Sequence, residues 1–199
     1  MNKSTLTIAL IAVIAIGVVV AWLLFPRLQP EQMTLTDDYE NTFGEWTLDS
    51  DVPQDPNNPG ETVAWTIERV SNNSYSGTHS LLLQIDGRQD DGTIWIERKI
   101  ELQPNSLKPV NLSFQLWSES ESFNTIAVVV GYIGVENPEK ESDFQVIDPA
   151  NQVAGWKEYS LSKELNTGAT GEVFVALGIS VRWETEMSYY VDRTQIVVR

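Results

Sequence analysis

The stretch "EVFVALGISV" at positions 172–181 sets the tightest limit on how this chain can fold. Val173, Val175, Leu177, Ile179 and Val181 alternate with Phe174, Ala176, Gly178, Ser180 and Arg182. A period of two is the period of a β-strand, whose successive side chains point to opposite faces. The same period recurs in "VNLSFQLW", where Val110, Leu112, Phe114 and Leu116 share one row. It recurs again in "TIWIERKIEL", where Ile94, Ile96, Ile100 and Leu102 share another. A helix would need apolar residues three and four apart, and that spacing is nearly absent beyond residue 32.

Runs of this kind predict strands over 33–39, 45–48, 63–70, 80–86, 93–102, 110–117, 125–133, 156–161, 172–183 and 188–198. Between them lie "DVPQDPNNPG", "SNNSYSG", "DGRQDDG", "LQPNSLKP" and "NTGATG", all turn chemistry. Some ten strands without helices between them predict an all-β sandwich or barrel. The span 33–199 suits one domain, and its fold must rest on a large core or a metal, because the sequence has no cysteine.

Ahead of this domain the chain changes character. No charged residue occurs from Ser4 to Pro26. About 20 apolar residues cross a hydrocarbon layer of ~30 Å as a helix. The run is longer than the ~7–15 residue core of a signal peptide and leads into "FPRLQPEQ" without a small-residue cleavage pair. It therefore reads as an uncleaved transmembrane helix over 5–25, with a cleaved signal or a buried helix as the alternatives. Residues 1–4 form a cytoplasmic N-terminus, and 26–32 a linker. Lys3 before the run and Arg27 alone after it give a slight positive-inside bias, which leaves the β domain extracytoplasmic and the protein single-pass in a membrane.

All 28 Asp and Glu lie beyond residue 30, against 11 Lys and Arg. Such a surface repels phosphate backbones, so nucleic acid is not a partner. Candidates for catalysis are few. There is no cysteine, His79 is the only histidine, and neither a G-x-S-x-G elbow nor a phosphate-binding glycine loop occurs. A pair of carboxylates of the glycosidase kind is open to any acidic chain, but nothing singles one out. The acidic loops "DSDVPQDPNNPG" and "DGRQDDG" both miss the EF-hand spacing. By alternation, Trp95, Trp117 and Phe174 fall on the rows opposite the core, among polar and small neighbours, as in a binding platform.

The succession "YENTFGEW", "SYSGTHSLLLQI", "IWIERKIELQP", "VNLSFQLWS", "GWKEYSL" and "SYYVDRTQIVV" resembles the jelly-roll carbohydrate-binding modules appended to bacterial cellulases and xylanases. The resemblance runs from about Asp37 to Val198. It implies a galactose-binding-like jelly-roll β-sandwich that binds polysaccharide or glycan without catalysis. It also implies a structural calcium ion joining the first and last strands. Carried onto this sequence, the side-chain ligands are Glu40 and Asp192, with backbone carbonyls near Ser76 or Thr78. Solvated strand-end charges, or a pairing with Arg193, are the other readings of those two acids. Two features depart from the pattern: Arg193 stands where a second acid is usual, and "DGRQDDGTIWIE" has no counterpart. For sugar contact, Trp95 and Trp117 offer ring faces, and Gln115 and Arg182 offer hydrogen bonds. The competing reading is a structural envelope scaffold whose partner is another envelope protein; an accessory to a glycoside hydrolase is a further one.

Overall fold

The computed structural model describes residues 32–199 except 90, 120, 123 and 184. The expected transmembrane helix over 5–25 lies outside the described residues. Among the described residues, no helix is long and apolar enough to cross a membrane.

Eleven strands follow in order: β1 (Met33–Asp37), β2 (Thr47–Asp51), β3 (Trp65–Val70), β4 (Ser80–Asp86), β5 (Thr93–Glu101), β6 (Leu107–Ser118), β7 (Ala127–Gly134), β8 (Gln145–Pro149), β9 (Gly155–Asn166), β10 (Glu172–Val181) and β11 (Glu186–Val198). They form two antiparallel sheets. One has six strands in the order β3-β4-β11-β6-β9 with β1 also on β11, and the other runs β2-β5-β10-β7-β8. The expected all-β sandwich is what the chain forms. Strand β8 was not anticipated: "QVIDP" is short and ends in proline, and its pairing with β7 is irregular.

The alternating rows meet between the sheets. Val110, Leu112, Phe114 and Leu116 of β6 are buried, as are Val173 to Val181 of β10 at every second position, and Ile94, Ile96 and Ile100 of β5. Each such side chain removed from water contributes about 1.5–3 kcal/mol. A one-residue slip would turn a whole row to solvent, so these rows fix the register.

One irregularity positions everything that follows. Along one edge β11 pairs first with β4, through Glu186–Val191, and then with β1, through Thr194–Val198. At the handover one extra residue enters β11 opposite β6, between Asp192 and Gln195, and Arg193 takes a positive φ of 50°. This is a β-bulge. It lets inward residues change from odd numbers (Tyr189, Val191) to even ones (Ile196, Val198). Asp192 stands at that break, and the turn after β1 and the loop before β4 both close on it.

Candidate functional site

The outer face of the six-stranded sheet carries a row of aromatics. Tyr190 of β11, Trp117 of β6 and Trp156 of β9 stand directly opposite one another, and Leu82 of β4 and Glu68 of β3 extend the row. Tyr190, Trp117 and Trp156 are half-buried. Trp117 meets Tyr190 edge-on, with centroids 5.3 Å apart at 83°. The loop 71–79 folds over the end of this row. Its Tyr75, 42% exposed, meets Trp156 edge-on at 5.7 Å, and Asn72 donates a hydrogen bond to the Tyr190 hydroxyl at 3.0 Å.

Polar side chains continue the same face. Gln115 is nearly buried and its amide reaches Glu158 at 3.4 Å on the next rung. Beyond it come the Ser113–Ser160 and Asn111–Ser162 rungs, the latter joined by a 2.7 Å hydrogen bond. The face ends in a shallow cavity of about 570 Å³ lined by Asn111, Ser162, Glu164, Gln195 and Val197 among others. Aromatic rings at one end and a floor of hydroxyls and amides at the other suit a ligand that is itself apolar on its faces and polar on its edges.

Two of the four expected sugar contacts lie here: Trp117 and Gln115. The other two do not. Trp95 is on β5 and Arg182 follows β10, both in the other sheet. Trp95 does point away from the core, but it is fully buried. The segment 135–144 folds across it, with the Phe144 ring 4.9 Å away. Its indole N–H donates to Glu97 Oε2 at 2.9 Å, and burial raises the pKa of that carboxyl. Opposite it, Gly178 leaves the space: a Cβ there would fall 2.7 Å from Trp95 Cβ. The expectation that Trp95 offers a ring face to a sugar is therefore corrected: it is buried, and it lies on the other sheet from Trp117. Alternation sets the side a residue faces and says nothing of what covers that side. Arg182 is held by Glu141 at 2.9 Å, away from the aromatic row.

Tyr190 and Trp156 were missed, although the signal was present. In "GWKEYSLS" the buried row is Tyr159 and Leu161, which puts Trp156 with Glu158, Ser160 and Ser162. In "SYYVD" Tyr189 and Val191 go in, so Tyr190 goes out. Tyr75 lies in a loop, where no periodicity could point to it.

The acids of the opening stretch have separate tasks. Asp37 accepts from Trp46 Nε1 at 2.9 Å and from Arg98 at 2.8 Å, and Glu45 takes the other Arg98 nitrogen at 2.6 Å. Glu40 reaches the 71–79 loop. Its Oε1 accepts from the backbone N–H of Thr78 (2.7 Å) and His79 (2.9 Å), and its Oε2 from the Thr78 hydroxyl (2.8 Å). The His79 and Thr78 N–H groups hold the Glu40 pKa down at about 2. Asp192 binds the same loop from below. Its Oδ2 accepts from Tyr75 N and Ser76 N, both at 2.8 Å, and its Oδ1 from Arg193 N at 2.6 Å. Burial pushes the Asp192 carboxyl up, against the lowering effect of those N–H groups.

Glu40, Ser76, Thr78 and Asp192 thus converge as the expected calcium set would. The chemistry of the donors differs. Calcium needs 6–8 oxygens at 2.3–2.6 Å. Here Ser76 and Thr78 turn N–H groups toward the carboxylates, and Glu40 Oε1 and Asp192 Oδ2 each already accept two N–H bonds. In this arrangement the residues do not fit the ion.

No protein-family model matches the sequence, and no curated protein matches it. Solved structures do resemble the fold. A carbohydrate-binding module from a study of promiscuous specificity in the β-sandwich superfamily aligns at 16% identity and a TM-score of 0.53, covering 78% of this chain. This chain spans 58% of that one. The CBM22-1–GH10 modules of the Clostridium thermocellum endo-1,4-β-D-xylanase, complexed with xylohexaose, align at 17% identity and a TM-score of 0.50, covering 83% of this chain and 28% of that one. The likeness is one of fold: this chain shares the two-sheet β-sandwich of those carbohydrate-binding modules.

Proposed function

We propose that the domain is a non-catalytic module that binds a polysaccharide along the outer face of its six-stranded sheet. The observation that carries this reading is the Tyr190–Trp117–Trp156 row with Tyr75 across its end. A pyranose ring presents an apolar C–H face to an indole and its hydroxyls to the serine, asparagine and glutamine rungs. The site is a shallow face, so single contacts are few and affinity comes from several sugar units spread along it. Because the xylanase neighbour is complexed with xylohexaose, soluble xylan and β-glucan are the first ligands to try. The apolar run over 5–25 would tether the module to a membrane, with the β domain outside.

The test is affinity electrophoresis of the full chain in gels containing xylan or β-glucan. Trp117→Ala and Trp156→Ala should each abolish retardation. Both side chains are half-buried on an outer face, so their thermal midpoints should stay close to that of the parent. An unretarded parent across neutral polysaccharides would end the sugar reading and leave a protein partner for the aromatic face.

A further inference from the structure

We infer that the loop carrying Tyr75 is held in place without a metal ion, with Arg69 supplying the positive charge that calcium would otherwise bring. Arg69 follows Trp65 and Ile67 on the inward row of β3 and is half-buried at the strand's end. Its Nε donates to the Tyr39 carbonyl at 2.6 Å and its Nη2 to the Glu40 carbonyl. Tyr39 adopts a positive φ of 55°, and Arg69 takes its carbonyl and the next one together. A divalent cation in a β-sandwich gathers carbonyls from separate segments and offsets the repulsion of nearby carboxylates. Arg69 takes two consecutive carbonyls of one turn and so ties that turn to β3. Its guanidinium also places a positive charge at the turn that bears Glu40.

The remaining cohesion comes from the backbone. Tyr75, Ser76, Thr78 and His79 all aim N–H groups at the two carboxylates, Tyr75 and Ser76 at Asp192 and Thr78 and His79 at Glu40. Charge-assisted bonds of this kind are about twice as strong as neutral ones. The loop also lies directly on Glu40. Gly77 has φ +64°, and a Cβ there would collide with Glu40 Oε1. That contact sets the loop backbone against the carboxylate. The outcome is a clamp at the point where β11 exchanges β4 for β1. It fixes the two residues, Asn72 and Tyr75, that the loop brings to the aromatic row. The link to ligand retention rests on the sugar-binding reading, whereas the metal-free clamp does not.

The experiment uses the full chain throughout. Thermal midpoints are measured in EDTA and in about 10 mM calcium, above the ~10⁻⁴–10⁻³ M dissociation constants of extracellular calcium modules. The expected result is one midpoint in both buffers. Arg69→Met should lower that midpoint by several degrees and weaken polysaccharide retention. Arg69→Lys should fall between, since an ammonium cannot span two carbonyls as a guanidinium fork does. A midpoint that drops in EDTA and returns with calcium overturns the proposal. So does an Arg69→Met protein as stable as its parent. If Arg69→Met does not fold, the chelation arm and Arg69→Lys still decide the matter. If the parent binds no polysaccharide, the sugar reading fails while the melts continue to test the clamp.

Discussion

On the outer face of the five-stranded sheet, Trp95 stands opposite Gly178 and is buried beneath Phe144. On the outer face of the six-stranded sheet, Trp117 stands opposite Tyr190 and Trp156, and all three are only half-buried. The two tryptophans occupy equivalent places in their strands: each alternates with isoleucines, phenylalanines or leucines that enter the core. The difference lies in the connections. Between β7 and β8 the segment 135–144 lies back over its own sheet, and Glu141 pins it there. The Glu141 backbone N–H donates to Asp51 at 2.9 Å, and its carboxylate accepts from the Thr93 hydroxyl at 3.0 Å. Between β3 and β4 the loop 71–79 reaches over the other sheet but covers only the end of its row. One connection turns an outward tryptophan into a second small core. The other builds a wall beside an open platform.

The largest effect that can break this comparison is Trp95→Ala. A fully buried indole removed from a packed site costs about 3–5 kcal/mol, part of it from the cavity left behind. The N–H bond to Glu97 is lost as well, leaving a buried carboxyl without a donor it now has. Chemical denaturation should show that loss as a lower midpoint with an unchanged slope. A Trp95→Ala protein as stable as the parent would mean the 135–144 cover is not a packed layer, and the contrast between the faces would collapse. Trp117→Ala and Trp156→Ala should do the reverse, removing ligand retention at little cost to folding.

Most of the sandwich was legible in the sequence, and for one reason. Period-two rows such as Val173–Val181 allow only one face to be buried between sheets, and Val110–Leu116 and Ile94–Ile100 agree with them. The short β8 escaped because five residues ending in proline carry too few alternations to register. The site was half legible. Trp117 and Gln115 follow from alternation alone, and Trp156 and Tyr190 would have followed from the same argument applied to "GWKEYSLS" and "SYYVD". Sheet membership is a different matter. That β5 and β6 belong to opposite sheets is decided by long-range pairing, which no local pattern carries. Nor does any local pattern say that Ser76 and Thr78 would turn their N–H groups toward Asp192 and Glu40.

Acid sharpens the contrast further, because the open face depends on a loop tied down by an ionised group. The Glu40 pKa lies at about 2 in the folded protein against an ordinary 4.5, chiefly through the His79 and Thr78 N–H bonds. A carboxyl whose pKa is lowered by folding contributes its full stability above the unfolded value. That contribution is lost as pH falls through the folded one. The midpoint advantage of the parent over Glu40→Gln should therefore be constant above the ordinary carboxylate range. It should shrink below about pH 4.5 and vanish near pH 2. A gap that does not change with pH would mean the glutamate is not held by those N–H groups in solution.

The smallest expected effect concerns Arg182, which sits on the covered side of the comparison. Its guanidinium bonds the Ser180 hydroxyl and the Val181 carbonyl, each at 2.6 Å, and pairs with Glu141 at 2.9 Å. It thereby helps to pin the segment over Trp95, but it does so from the surface: both partners keep about a third of their side-chain area exposed, 34% and 33%. An ion pair that water reaches this easily contributes about 0–1 kcal/mol. Glu141 also retains its bonds to Asp51 and Thr93 when the arginine is gone. Arg182→Ala should accordingly shift the thermal midpoint slightly and leave polysaccharide retention unchanged. Loss of retention in a variant that melts like its parent would place a ligand contact on the five-stranded sheet. The division of labour between the two faces would then be wrong at its foundation, because an arginine on the covered side would be touching a ligand assigned to the open one.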